Sequence, residues 1–270
     1  MQQAREHAMA DGRRLALITG ASEGIGAELA RIMAAAGHDL ALVARRQDRL
    51  DALAEEIAAS GAPRPLTIVC DLLQPQAVDK LLANLEAAGA QIDILVNNAG
   101  YGLHGSAHRL DRAEQIGMID LNIRVLTDLT LRLLPHLVSV RGRILQVASV
   151  AAFLPGPHMA VYYATKSYVL SFGEALAQEL KETGVSVSVL CPGPTKTGFQ
   201  ARAGLDATLF KMLRPMNARD VAQAGYRGMM AGRRTIFPGP LNGASAFFAR
   251  IAPRFLLLPL VARLQAARKN

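Results

Sequence analysis

"RLALITGASEGIGAELARIMAAAG", residues 14–37, opens on a short apolar run, turns on three glycines and continues as a helical pattern. The run 14–19 is almost continuously apolar, as expected of a parallel strand covered on both faces. Gly20, Gly24 and Gly26 follow with the spacing G-x-x-x-G-x-G. Glycines at a strand-to-helix turn let the backbone approach a pyrophosphate, and the following helix offers it free N–H groups and a positive dipole end. A plain tight turn would also use glycine. Placement directly after the first strand is what favours the nucleotide reading.

Outward from this unit the alternation repeats. Residues 39–44, 66–70, 92–97, 143–148 and 185–191 read as further strands, and "RTIFPG" (234–239) as a last one. Helical patterns lie between them. In residues 47–61, Leu50, Leu53 and Ile57 share a side opposite the carboxylates and arginines. Strand–helix alternation at this spacing predicts an α/β fold: a doubly wound parallel sheet of about seven strands with helices on both faces. The expected layout is one domain over 1–270, with a flexible N-terminus at 1–12. Residues 192–216, broken by prolines and without a clean strand, are expected to form a substrate lid. A helix is expected from about 219 to 232, then an apolar and basic extension over 241–270.

The totals exclude several classes. Cys70 and Cys191 are the two cysteines, too few for a disulfide framework and suited to a reducing, cytoplasmic setting. The six histidines are scattered without metal-ligand spacing, so no metal site is expected. The first fourteen residues lack the apolar core of a secretory signal, and no run approaches the length of a membrane span. The net charge of +8 is unevenly placed. Residues 207–270 carry eleven basic side chains and one acidic, Asp220, a balance of +10, while the body is near neutral. No nucleic-acid motif accompanies this tail, so nucleic acid is not an expected partner. Two readings of 241–270 remain: its apolar residues cover the core or a subunit contact, or it lies on an anionic membrane surface.

"VYYATKSYVL", residues 161–170, holds three of the five tyrosines and one lysine. A tyrosine beside an ammonium ion is a candidate proton donor of shifted pKa. On a helix, Tyr162 and Lys166 stand about 40° apart around the axis, and Tyr163 and Lys166 about 60°. Spacing alone leaves both tyrosines open. Tyr168 points elsewhere and suits packing.

Several motifs in order now carry a resemblance. "TGASEGIG" (19–26), "CDL" (70–72), "NNAG" (97–100), Asn122 in "DLN", Ser149, "YYATK" (162–166) and "PGPTKT" (192–197) resemble the short-chain dehydrogenase/reductase family in its short single-domain form. The likeness covers about residues 13–200 and implies a Rossmann-type fold. It implies that Gly20, Ser22, Glu23, Gly24, Ile25 and Gly26 form the cofactor's phosphate turn. Asp71 and Leu72 would meet the adenine, and Asn98, Ala99 and Gly100 the ribose and central cleft, with Asn97 tying neighbouring backbones. Pro192, Gly193, Thr195 and Thr197 would flank the nicotinamide and its carboxamide. The family's Tyr-x-x-x-Lys pattern selects Tyr162, and Ser149 stands 13 residues before it, as in the family. Tyr162 is then acid/base, Lys166 holds the ribose and depresses the phenol pKa, Ser149 binds the substrate oxygen, and Asn122 holds a water. Tyr163 would pack on the cofactor or at a subunit contact.

NAD-selecting members place a carboxylate after the second strand to bind the ribose hydroxyls. Here Ala44, Arg45 and Arg46 stand there, and an arginine forks onto a 2′-phosphate. NADP(H) is therefore the expected cofactor, with Arg45, Arg46 and Ser22 as its readers. Phe153, Leu154, Phe199, Leu205 and Phe210 suggest an apolar pocket. The expected substrate is a carbonyl compound or its alcohol: an apolar ketone, an aldehyde or a 3-oxoacyl-like group. Two other readings are a non-catalytic NADP-binding regulator, disfavoured by the intact Ser149, Tyr162 and Lys166, and a sugar-nucleotide epimerase, disfavoured by Glu23 and the short C-terminal part. By resemblance the chain pairs through its central long helices as a homodimer or homotetramer.

Overall fold

The computed structural model describes residues 13–204 and 215–265. Its strands are β1 (Arg13–Thr19), β2 (Asp39–Ala44), β3 (Leu66–Val69), β4 (Ala90–Asn97), β5 (Arg143–Val147), β6 (Ser186–Leu190), β7 (Thr195–Lys196), β8 (Met216–Asn217) and β9 (Thr235–Ile236). Seven of them form one sheet in the order β3-β2-β1-β4-β5-β6-β9, all parallel. β7 and β8 make a separate parallel pair. The helices are α1 (Gly24–Ala35), α2 (Gln47–Ala59), α3 (Ala77–Ala87), α4 (Arg112–Ile119), α5 (Leu126–Ser139), α6 (Ala160–Glu179), α7 (Phe199–Ala203), α8 (Ala218–Met230), α9 (Pro240–Ile251) and α10 (Arg254–Gln265).

Two-sided burial explains the continuous apolar runs. Along β1, Ala16 and Ile18 face a core shared with Leu29 and Met33 of α1, Leu53 of α2 and Val221 of α8. Leu15 and Leu17 face the other core, with Leu81 of α3, Leu129 of α5 and Leu176 of α6. Each such side chain contributes about 1.5–3 kcal/mol by leaving water, so the sheet is held equally from both faces. The fold is the expected doubly wound, Rossmann-like sheet.

Details differ from expectation at the edges. The last strand is two residues long: Phe237 follows it with its ring tilted against Phe153 at 5.5 Å, and Pro238 has no N–H to extend the ladder. Residues 192–216, expected as a long loop with a short helical stretch, hold the short helix α7 and, unexpectedly, the strand β7. The 241–270 extension forms two helices, α9 and α10. The expected flexible N-terminus and the lid residues Leu205 and Phe210 lie outside the described residues.

The chain runs from β1 outward through β2 and β3, then returns to place β4 on the other side of β1. That reversal opens a crevice at the carboxyl ends of β1 and β4, where doubly wound sheets take ligands.

Candidate active site

The glycine turn sits at this crevice, and each glycine has its own reason. Gly20 has φ +66°, and a Cβ there would lie 2.9 Å from the Ala99 Cα. A Cβ on Gly26 would lie 2.4 Å from the Gly20 carbonyl oxygen. Gly24 (φ +60°) meets the Thr197 methyl. The N-cap Glu23 makes no side-chain cap, and α1 has no acid in its first turn. Its first N–H groups therefore suit an anion, and this cradle fits a dinucleotide pyrophosphate. Ile25 packs against the core and contributes no polar group.

Ser22 and Arg46 meet at the end of β2. The Arg46 Nη2 donates to Ser22 Oγ at 3.1 Å and lies 3.0 Å from Glu23 Oε2. Arg49 donates to the same carboxylate at 2.8 Å. Arg45 is exposed. A hydroxyl and the guanidinium groups of Arg46 and Arg49 thus gather beside the end of β2, with Glu23 as the counter-ion of both arginines.

Asp71 Oδ1 accepts from Leu73 N at 3.2 Å, which shapes the turn after β3, and the Leu72 side chain is buried in the core. Leu72 therefore has only its backbone to offer an adenine. Asn98 corrects the sequence reading. Its Nδ2 donates to the carbonyls of Thr19 (2.9 Å) and Gly20 (3.1 Å), so Asn98 ties the glycine turn to β4. Asn97, expected in that part, is buried and donates to Thr130 Oγ1 of α5. The Thr19 hydroxyl accepts from the backbone N–H groups of Asn98 and Ala99. Gly100 backs onto Asn122, and a Cβ there would stand 3.5 Å from Lys166 Nζ.

Ser149, Tyr162 and Lys166 converge beyond the end of β5. Ser149 Oγ accepts from Ala151 N (3.1 Å) and donates to Pro192 O (3.3 Å), and its hydroxyl is close enough to Tyr162 to act on that phenol's pKa. Lys166 Nζ donates to Val147 O at 2.8 Å and lies 5.9 Å from the Tyr162 ring centroid. Burial holds the Lys166 ammonium down to about 8. Burial also pushes the Tyr162 phenol well above its ordinary range, and the Ser149 hydroxyl opposes this only in part. Burial is the largest cause for both groups, so the phenol lies above its ordinary value where the resemblance implied a depressed one.

Asn122 occupies a π-helical segment, Asp120–Val125, between α4 and α5. Its Oδ1 accepts from Tyr101 N, and its Nδ2 donates to Tyr101 O and Thr165 Oγ1. The side chain is spent on these bonds, so the expected water falls to its main chain if Asn122 holds one.

Pro192 accepts from both Ser149 Oγ and Val150 N. The Thr195 hydroxyl turns back to Gly193 O. Thr197 Oγ1 accepts from Phe199 N, so this hydroxyl caps α7, and its methyl lies over Gly24. Thr197 thus stands beside the glycine turn with its hydroxyl turned to Phe199 N. Tyr163 also departs from expectation: its hydroxyl accepts from Gln265 of α10, and its ring covers Gly156. Tyr168 packs as expected, stacked on Phe172 with its hydroxyl on Thr127.

One pocket residue takes a definite place, and one residue escaped the sequence reading, Tyr101. Phe199 lies 5.2 Å from the Tyr162 ring, and both rings close on Gly102. Tyr101 is buried, donates to Glu114 O and carries the Arg202 guanidinium over its ring at 4.7 Å. Tyr101 directly follows "NNAG", a signal that was available. Among the described residues no cluster of metal-ligating side chains occurs.

Comparison with known proteins agrees with this geometry. Residues 14–207 match the family model described as short chain dehydrogenase. Sulfoacetaldehyde reductase 2 of Chromohalobacter salexigens is 38% identical over 217 residues, 77% of this chain and 85% of that protein. A short-chain dehydrogenase from Sphingobium yanoikuyae in complex with NADPH superimposes with a TM-score of 0.80 at 32% identity, covering 95% of this chain and 97% of that one. The 3-ketoacyl-(acyl-carrier-protein) reductase from Brucella melitensis complexed with NADH gives a TM-score of 0.73 at 30% identity, covering 83% and 96%. With its glycine turn, its serine–tyrosine–lysine cluster and this match over most of its length, the chain belongs to the short chain dehydrogenase family and is an oxidoreductase.

Proposed function

We propose that the protein is an NADPH-dependent carbonyl reductase acting on apolar ketones, aldehydes or 3-oxoacyl-like groups, with Tyr162 as the proton donor. The observation that carries this reading is the convergence of Ser149, Tyr162 and Lys166 beside a glycine turn that only glycine can form. The nicotinamide, when bound, supplies the hydride. Tyr162 gives its proton to the developing alkoxide oxygen, which Ser149 also bonds. Burial keeps this phenol protonated at neutral pH, the form that can give a proton to the carbonyl oxygen. Lys166 spends one of its three donors on Val147, which fixes the ammonium beside Gly100 where a ribose hydroxyl would lie. The main-chain carbonyl of Asn122 is left to hold water.

Arg46, Ser22 and Arg45 favour a 2′-phosphate, and solved relatives with NADPH and with NADH make the preference a real question. The kcat/KM with NADPH should exceed that with NADH by about tenfold or more, the worth of one or two charge-assisted hydrogen bonds. A tenfold preference for NADH overturns the assignment.

Residues 192–216 act as the lid of this site. Thr197 reaches Gly24, Phe199 covers Tyr162, and His104 N donates to Ala203 O at 2.8 Å. Phe199 against the phenol supports an apolar substrate. A small anionic aldehyde such as the sulfoacetaldehyde in the relative's name would need a cation, and the lid's Arg202 is committed to Glu114 and Tyr101. A panel of carbonyl compounds with NADPH, sulfoacetaldehyde included, decides: the highest kcat/KM on the sulfonate would overturn the apolar substrate class.

A further inference from the structure

Eight of the thirteen large apolar side chains exposed among the described residues lie in α9 and α10. Leu241, Phe247, Phe248, Ile251, Phe255 and Leu256 are each between 59% and 82% exposed. They are arranged on the side away from the body. At 100° per residue the four on α9 fall within an arc of about 120°, and the buried Ala246 lies opposite. On α10 the buried Val261 faces the body, while Phe255, Leu256, Leu258 and Leu260 sweep the remaining arc. α10 does not close onto the core. A cavity of about 550 Å³ separates it from residues 152–157, with Arg254 and Leu258 on its outer wall. Two consecutive helices thus each present an exposed apolar face, and together they hold more exposed apolar side chains than the scattered single residues a monomer normally shows.

Charge identifies the occupant. No acidic residue occurs between 221 and 270, whereas Arg250, Arg254 and Arg263 lie on these helices, and Arg268 and Lys269 follow beyond the described residues. Arg250 is used inward, over the Phe153 ring at 4.9 Å and beside Glu174. Arg254 and Arg263 have no carboxylate partner among the described residues. Pairing this face with a second copy would bring like charges together without relief. An anionic bilayer accepts both parts: the phenylalanines and leucines enter the acyl boundary, and the arginines meet the headgroups. Each helix has twelve residues, and no helix among the described residues is long and apolar enough to cross a membrane. We infer that α9 and α10 form a docking surface that lies flat on anionic phospholipid and holds the enzyme at a membrane face.

The test is co-sedimentation of the full chain with vesicles of phosphatidylglycerol mixed with phosphatidylcholine, against vesicles of phosphatidylcholine alone. Neither cofactor nor substrate enters this measurement, so its outcome is separate from the reductase assignment. The expected result is binding to the anionic vesicles that weakens as salt is raised. The variant Phe247→Ser/Phe248→Ser/Phe255→Ser should lose at least about tenfold in partition. Arg254→Gln/Arg263→Gln should lose about tenfold on anionic vesicles and nothing on neutral ones. All five side chains are exposed, so both variants should keep the wild-type Tm. Equal partition of the wild type onto both vesicle types, or an unchanged partition of the triple variant, overturns the proposal. A triple variant that halves the mass in light scattering, with a wild type that ignores vesicles, assigns the face to a second copy instead.

Discussion

Tyr162 and Tyr163 are neighbours on α6 with different partners, and that difference assigns the chemistry. Tyr162 meets Ser149 at the crevice; Tyr163 is held by Gln265 on the far side. Tyr162→Phe should lower kcat by about three orders of magnitude, in line with the loss of a general acid, while NADPH still binds. Tyr163→Phe should keep most of the activity. Steady-state kinetics and a fluorescence titration of NADPH check both, and the reverse ranking would move the acid to Tyr163. The pH profile follows from the same environment. The phenol is raised, so it stays protonated across neutral pH, and Lys166, lowered to about 8, is the group that changes charge. The kcat/KM for reduction should be flat below about pH 7 and fall as Lys166 loses its proton above about pH 8. No inflection in that window would mean that the ammonium does not matter. Helical spacing left Tyr162 and Tyr163 open and the family resemblance selected Tyr162, but neither carries the cost of burial, which raises the phenol. It also exchanged Asn97 and Asn98: alternation along β4 decides which one faces the turn, and two adjacent asparagines look alike until that register is known.

The β1–turn–α1 unit was the most legible element, because its constraints are local. Continuous apolarity forces a two-sided strand, and the glycines admit no side chain. Gly26 gives a clean measure of this. Its φ is not positive, so alanine meets no backbone strain there, but its Cβ would meet the Gly20 carbonyl oxygen at 2.4 Å and Asn98 Nδ2 at 2.5 Å, both tied into the same turn. Gly26→Ala should cost about 3 kcal/mol and weaken NADPH binding. Gly61→Ala, at φ +89° with open space around it, should cost about 1 kcal/mol and leave binding alone. Thermal melts with and without NADPH separate the two effects, and equal costs would mean that the turn relaxes. Elements set by long-range contacts were less legible. The π-helical segment around Asn122 has no sequence period of its own; it exists because Asn122 is spent on Tyr101 and Thr165, 21 and 43 residues away. α9 and α10 were visible as apolar and basic composition, but which side each presents depends on where Ala246 and Val261 find the body.

At the scale of the molecule, a second apolar surface stands apart from the tail. Ile116 and Ile119 of α4 and Leu131 of α5 are exposed at 47%, 38% and 51%. Unlike the tail, their surroundings are already charge-balanced: Arg124 pairs with Asp120, and Arg132 with both Asp128 and Asp79. A neutral apolar face on long helices is suited to a second copy of itself, since a two-fold contact repeats the same patch and any net charge on it would repel. This fits the pairing through central long helices that the family resemblance implies. The expected mass in light scattering is therefore two or four times the 28.8 kDa of one chain. Leu131→Asp should shift it downward, because one carboxylate at the contact meets its own symmetry mate. The Phe247→Ser/Phe248→Ser/Phe255→Ser variant should leave the mass unchanged, since that face is assigned to lipid. A wild type that runs at 28.8 kDa would overturn the pairing, and a Leu131→Asp variant of unchanged mass would move the contact to another face of α5 or α6.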